Sequence, residues 1–266
     1  MPDALEFAIE IAQEAGQLLC RLYSERHTVQ TKSSDIDLVT EADVASDRLI
    51  VAAISRSFPT HRILSEEGMG DLDAFVAGSS PVWLVDPLDG TVNYAHGYPY
   101  WGVSLALSQA GQVLTAVTFD PLRDEIFWAQ RGQGAWCNGE RLRVSDVAEM
   151  RQALVATGFA YKRATLADNN LAEFSAVMPR VQGVRRAGSA VLDLAHVAGG
   201  RLDGYWEMHL NPWDWAAGSL LVEEAGGKIT DMRGEPWSLL AGEIVATNSH
   251  LHKELLTHLA QAGQHR

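Results

Sequence analysis

The run Val82-Trp83-Leu84-Val85 leads straight into two aspartates three residues apart, Asp86 and Asp89, with Gly90 and Thr91 immediately behind them. Four consecutive apolar residues read as a buried strand. An ionised carboxylate is costly to bury unless it is paired or bound to a cation. A buried strand that ends in two acids therefore calls for a metal, with Asp86 and Asp89 as hard oxygen ligands. Pro87 stiffens the turn so that the Leu88 carbonyl can join them, and Gly90 lets the backbone come close to a ligand. The fold has to bring further oxygen donors to this strand end.

Composition narrows the setting. With 266 residues and 47% hydrophobic side chains the chain can bury a large core, as one domain of two closely packed halves, about 1–150 and 151–266. Lys and Arg number 21 against 34 Asp and Glu, a formal charge of −13, which argues against direct nucleic-acid binding. Cys20 and Cys137 form no CxxC and fit a reducing compartment. The opening residues show no basic n-region followed by an apolar stretch, and no apolar run reaches membrane-spanning length. A soluble, cytoplasmic protein that does not engage membranes is expected.

Read in order, Ala4–Ser24 is an amphipathic helix, and Thr28–Ser33 an extended arm carrying Lys32. Asp37–Asp43 leads into a second helix that Pro59 closes. A strand at His61–Ser65 ends in Glu66-Glu67, so Glu66 and Asp86 are candidates for neighbouring strand ends. Residues Trp101–Ser145 alternate strands with turn signals, as an antiparallel meander does. Alternating strands and helices follow, with helices expected at Leu166–Met178, Ser189–Val197, Trp213–Ala225 and Leu251–Ala262.

Glu66, Asp86, Asp89 and Asp214 each stand where an apolar element begins or ends. Asp214 alone reads as an acid stabilised by the dipole at a helix start. Several carboxylates without a convergent His or Cys favour Mg²⁺, or Mn²⁺, over zinc. Two or three such ions could polarise a phosphate and lower the pKa of a water. Helix starts at Gly90-Thr91 and Gly188-Ser189 offer amide donors to phosphate oxygens. Neither GxxxxGK[ST] nor GxGxxG is present, and Ser65 and Ser189 lack a GxSxG setting, so water is the better nucleophile. The nine histidines include no HExxH, and His250 and His252, flanking the last helix, are expected to face solvent.

Asp86-Pro87-Leu88-Asp89-Gly90-Thr91-Val92-Asn93-Tyr94 resembles the D-P-[IL]-D-G-T-x-N-[FY] signature of the inositol monophosphatase family. Trp213-Asp214-x-Ala-Ala-Gly followed by Glu223-Glu224-Ala225-Gly226-Gly227 resembles its C-terminal signature, with further matches at Lys32-Ser33-Ser34, Asp37–Asp43, Glu66-Glu67 and Gly188-Ser189-Ala190. The likeness runs from the first helix to about Asn248. It implies an αβαβα sandwich of the sugar-phosphatase type, an α/β layered fold, and Mg²⁺-dependent, commonly Li⁺-sensitive hydrolysis of phosphomonoesters by a homodimer.

Carried over by position, Glu66, Asp86 and the Leu88 carbonyl hold a first metal, and Asp86, Asp89 and Asp214 a second; Glu66 serves a third, weaker ion through waters. Thr91, bonded to Asp43, orients and deprotonates the attacking water. The Gly90 and Thr91 amides bind phosphate, with Gly188 and Ser189 nearby, while Ala190 and Glu207 face the alcohol portion. Lys32 lies on an arm that closes over the metals, and Glu67 is structural or supports the ligands from behind. Glu207 favours inositol-1-phosphate, a small phosphorylated polyol. Relatives with the same metal motifs cleave histidinol phosphate, fructose 1,6-bisphosphate or NADP(H). Some bacterial members also act as protein partners in transcription complexes, for which Arg185-Arg186 is a candidate patch, against the alternative of an ion-paired cluster at a dimer interface or beside the phosphate.

Overall fold

The structure, a computed structural model, describes residues 3–24, 29–31, 38–68 and 79–263, with only the backbone of 29–31 and 38–40. Lys32, Asp37 and most of residues 70–81, which the sequence reads as a small-residue and acidic loop, lie outside the described residues. The elements of the first half are α1 (Ala4–Ser24), β1 (Val29–Thr31), β2 (Leu38–Thr40), α2 (Glu41–Ser57), β3 (Arg62–Ser65), β4 (Val82–Asp89) and α3 (Thr91–His96). Then come β5 (Gly102–Gln109), β6 (Gln112–Asp120), β7 (Glu125–Gln130), β8 (Gly134–Cys137) and β9 (Glu140–Arg141). The second half holds β10 (Leu154–Thr157), α4 (Leu171–Val177), β11 (Gly183–Arg185), α5 (Ala190–Ala198), β12 (Gly204–Met208), α6 (Pro212–Glu224), β13 (Lys228–Thr230), β14 (Glu243–Thr247) and α7 (His252–Gly263).

Strands β3 to β9 form a seven-stranded sheet in sequence order; β3 runs parallel to β4 and every other neighbour is antiparallel, giving the expected meander. The second sheet has the order β11-β10-β12-β14-β13, with β10 parallel to both neighbours. Side-chain alternation along β4 shows how the layers stack. Trp83 and Val85 enter a core with α1 and α2, including Ala8, Leu19 and Ile54. Val82 and Leu84 enter a core with α5 and α6, which continues to Tyr205 and Ala246 of the second sheet. The outer face of that sheet packs Val155, Trp206 and Val245 against Val177 of α4 and Leu255 and Leu259 of α7. The order is helix, sheet, helix, sheet, helix, the layered α/β arrangement anticipated.

Position in these layers explains composition. A sheet covered on both faces takes continuous apolar runs, and β4 is buried from Val82 to Leu88. Helix α1 covers one outer face and is amphipathic. Helix α6 lies between two sheets and is buried over most of Pro212 through Val222, as expected of a helix with no solvent side. No helix among the described residues is long and apolar enough to cross a membrane.

Two expectations are corrected. The helix expected from Leu166 starts only at Leu171, because Asn170 adopts a left-handed conformation (φ 68°) and is used as a buried connector. Its amide donates to Thr157 Oγ1 (2.8 Å) and to the Gly158 carbonyl (2.6 Å), while its Oδ1 accepts from Trp206 Nε1 (2.7 Å). His252, expected at the surface, is 2% exposed. Its ring nitrogens stand 2.9 Å from the hydroxyls of Thr230 and Thr247, tying α7 to β13 and β14.

Burial, with Lys228 nearby, lowers the His252 pKa to about 4, against about 6.5 in an unfolded chain. The unfolded state therefore binds the extra proton first. Stability is expected to fall as pH drops from about 6.5 to 4, by on the order of 3 kcal/mol from this group. Denaturant unfolding of the wild type and His252→Gln across that window checks this, with the variant losing distinctly less; parallel curves would contradict it.

Candidate active site

In a regular strand, residues three apart point to opposite faces. Asp86 and Asp89 escape that rule because the ladder with β5 slips between them: Asp86 pairs with Ser104 and Asp89 with Gly102. Three steps on β4 match two on β5, so one residue is extra, a bulge that reverses the alternation. Pro87, with no N–H to give the ladder, sits inside it. The Leu88 amide donates to Asp86 Oδ1 (3.1 Å), and Ser46 of α2 donates its hydroxyl to the Pro87 carbonyl (2.8 Å). Both acids then line one cavity of about 520 Å³, within the range of small-molecule sites.

Gly90 follows with φ 88°, and a Cβ there would stand 2.9 Å from the Tyr100 carbonyl, so both conformation and space call for glycine. Thr91 is buried, its Oγ1 3.1 Å from the Leu88 carbonyl and 3.3 Å from Asp43 Oδ2. One hydroxyl proton serves one of these acceptors at a time. On the adjacent strand, the Glu66 amide donates to the Val85 carbonyl (3.2 Å), which fixes Glu66 beside Asp86 as expected from the sequence. Asp43, Glu66 and Glu67 each offer a carboxylate oxygen within 4.8 Å of the others. Glu67, read from the sequence as structural or as support for the ligands, thus stands in one acidic cluster with Glu66 and Asp43.

The middle helices supply the rest. Asp89 Oδ2 accepts from the Ser189 hydroxyl (2.6 Å) and from the Val191 amide (2.9 Å), so the start of α5 is bonded to a carboxylate. Asp214 lies in the first turn of α6 and its Oδ2 accepts from the Asn211 amide (2.7 Å), while the residue also lines the cavity. Its roles as helix-start acid and as cavity acid coexist. Leu88, Gly90, Thr91, Gly188, Ser189, Ala190 and Glu207 line the same cavity; Asp43 reaches it through Thr91.

Burial leads the electrostatics of the site, and for two of its acids crowding adds to it. Burial first, then the neighbouring carboxylates led by Glu66 and Asp89, push Asp86 and Asp214 well above the usual carboxylate range. Asp89 is raised less simply: burial lifts it, and the bonds from Ser189 and Val191 pull back. Glu207 is pushed up to about 7 by burial, with the Tyr205 hydroxyl bond and Arg186 opposing. An all-oxygen set whose members repel one another fits a hard divalent cation.

Two charged cavity residues gave no sequence signal: Asp193 lines it from α5, and Lys162 brings positive charge beside Arg186. The Arg185-Arg186 pair divides: Arg186 lines the cavity, and Arg185 is exposed at the end of the edge strand β11. Asn93 Nδ2 donates to the Tyr100 carbonyl (2.6 Å) and the Ala187 carbonyl (2.9 Å), stitching α3 to the approach to α5. A contact between two segments so distant in sequence is invisible to periodicity.

Residues 2–264 match the inositol monophosphatase family, and the chain belongs to that family. It is 44% identical over 260 residues to the Nus factor SuhB of Pseudomonas aeruginosa, covering 97% of this chain and 96% of that one. It is 42% identical over 262 residues to an inositol-1-monophosphatase of Synechocystis sp., covering 98% and 90%. The solved inositol monophosphatase of Anabaena (Nostoc) sp. superposes with a TM-score of 0.86 at 44% identity, over 97% of this chain and 95% of that one.

A Cβ on Gly158 would overlap the Glu207 carboxylate. Gly158→Ala is therefore expected to displace Glu207 from Tyr205 and to lower the unfolding free energy by about 1–3 kcal/mol. Denaturant titration checks this; unchanged stability would mean that Glu207 has room to move.

Proposed function

We propose that this chain is a Mg²⁺-dependent phosphomonoesterase that hydrolyses inositol-1-phosphate or a closely similar small polyol phosphate. The observation that carries this reading is the bulge that turns Asp86 and Asp89 into one cavity with Glu66 and Asp214. We assign Glu66, Asp86 and the Leu88 carbonyl to one cation and Asp86, Asp89 and Asp214 to another, with Glu66 reaching a third and Mn²⁺ an acceptable substitute. When bound, such cations neutralise the phosphate, acidify a water and stabilise the leaving oxygen.

The chain's own residues do the rest. The Gly90 and Thr91 amides take phosphate oxygens at the start of α3. Thr91 Oγ1 accepts a proton from the attacking water as its own passes to Asp43 Oδ2, 3.3 Å away. The water oxygen bonds to phosphorus as the ester bond to the alcohol oxygen breaks. Ala190 and Glu207 face the departing alcohol, with Glu207 accepting a ring hydroxyl. A cytoplasmic homodimer is the form we assign.

The relative named Nus factor SuhB supports a second role, as a protein partner in a transcription complex, with exposed Arg185 on the β11 edge as the contact. Retention on purified transcription components at physiological salt, lost in Arg185→Glu, is expected; equal retention of the variant sinks that contact.

A phosphate-release panel with Mg²⁺ tests the main reading: inositol-1-phosphate, histidinol phosphate, fructose 1,6-bisphosphate and NADP. Inositol-1-phosphate is expected to turn over best, and no release from any substrate would overturn the reading. Asp89→Asn keeps an acceptor for Ser189 and Val191 but loses the charge. It should abolish turnover with a near-native far-UV spectrum, whereas wild-type rates at saturating Mg²⁺ would remove Asp89 from the site. EDTA should lower the melting temperature and Mg²⁺ restore it, because a cation bound only to the folded state stabilises it; an unchanged melt would contradict a repulsive carboxylate cluster.

A further inference from the structure

The cavity holds a carboxylate that the reaction above leaves unused. Asp193, in the first turns of α5, is 2% exposed and lines the cavity together with Glu207. Its Oδ1 accepts from the Tyr100 hydroxyl at 2.7 Å. The same hydroxyl stands 3.2 Å from His196 Nδ1, one turn further along α5. A hydroxyl has one proton to give. Donating it to Asp193, Tyr100 must accept from His196, which places the imidazole proton on Nδ1; the buried Nε2 has no hydrogen-bond partner, so that tautomer buries no unused donor. His196, Tyr100 and Asp193 thus form a directed chain that fixes the carboxylate without occupying its second oxygen.

Glu207 is built the same way. Its Oε2 accepts from the buried Tyr205 hydroxyl. Two acids on one cavity are therefore each clamped through one oxygen by a buried tyrosine, Glu207 by Tyr205 two residues before it on β12 and Asp193 by Tyr100 from the approach to β5. Neither clamp contributes to water activation or to the expected cation ligands.

We propose that Asp193 is a specificity-determining residue whose Oδ2 accepts a hydroxyl of the substrate's alcohol portion alongside Glu207, so that the site selects phosphates of polyols with at least two free hydroxyls. The inference rests on the phosphomonoesterase reading. A site built around a hydroxyl rejects an analogue lacking it because the buried acceptor is left without a partner. Tyr100 acts as a positioning residue: it holds Asp193 and touches no substrate atom.

The test is calorimetric binding, in Mg²⁺, of two non-hydrolysable probes: the methylene phosphonate of inositol and ethylphosphonate. Asp193→Asn is expected to weaken the inositol probe about ten-fold or more and ethylphosphonate less than about two-fold. Tyr100→Phe, which keeps the ring, should lose affinity for the inositol probe alone by about three- to ten-fold, and it decides the matter if Asp193→Asn does not fold. Equal loss for both probes, or for neither, in the folded variants overturns the assignment while leaving phosphatase activity standing. Wild-type protein that binds neither phosphonate overturns both.

Discussion

Mutual repulsion among buried carboxylates is the constraint around which the molecule is arranged. The layers that cover Asp86, Asp89 and Asp214 raise the cost of ionising all three, and for Asp86 and Asp214 crowding by neighbouring acids raises it further. Hydrophobic packing cannot relieve that cost, and local hydrogen bonds from Ser189, Val191 and Asn211 relieve only part of it. An arrangement of this kind is kept for what it can bind. The binding partners we assign to it are divalent cations and, through them, a phosphate.

The fold serves this by placing its most apolar material directly beside its most charged. The bulge at Pro87 works because β4 is held on both faces, so that a one-residue slip re-aims side chains instead of fraying the strand. Helices α5 and α6 belong to the second half of the chain yet pack on the first sheet, and their first turns meet the end of β4. Small residues set the distances at which this happens. Gly218 of α6 lies against Leu194 of α5, where a Cβ would come within 2.5 Å.

Much of this is legible in the sequence because local chemistry is unusual. Acids at the end of an apolar run have few explanations, and the resemblance points to Asp214, Thr91 and Asp43, of which the first two line the cavity and the third contacts Thr91. What stays hidden depends on partners far away in the chain. Asp193 sits in an apolar helix and reads as one polar residue on its face; only Tyr100, folded across from the approach to β5, gives it a role. His252 reads as solvent-facing because its place at the start of a polar-faced terminal helix does not announce the hydroxyls of Thr230, 22 residues away, and Thr247, across the turn from β14, that receive its ring. Arg185 and Arg186 are adjacent in sequence, and strand geometry sends them to different surroundings. The late start of α4 is a case of tertiary override: buried Asn170 bonds to β10 and Trp206 more favourably than it would continue a helix.

Because burial and then crowding raise the pKa values of Asp86 and Asp214, a cation that binds them must displace protons. Calorimetric titration of Mg²⁺ into the metal-stripped protein near neutral pH, repeated in buffers of different ionisation enthalpy, reads that number directly. Saturable binding is expected, with net proton release that disappears at higher pH and is reduced in Asp89→Asn. Binding without proton release, or no saturable binding, would contradict a carboxylate cluster held together by cations.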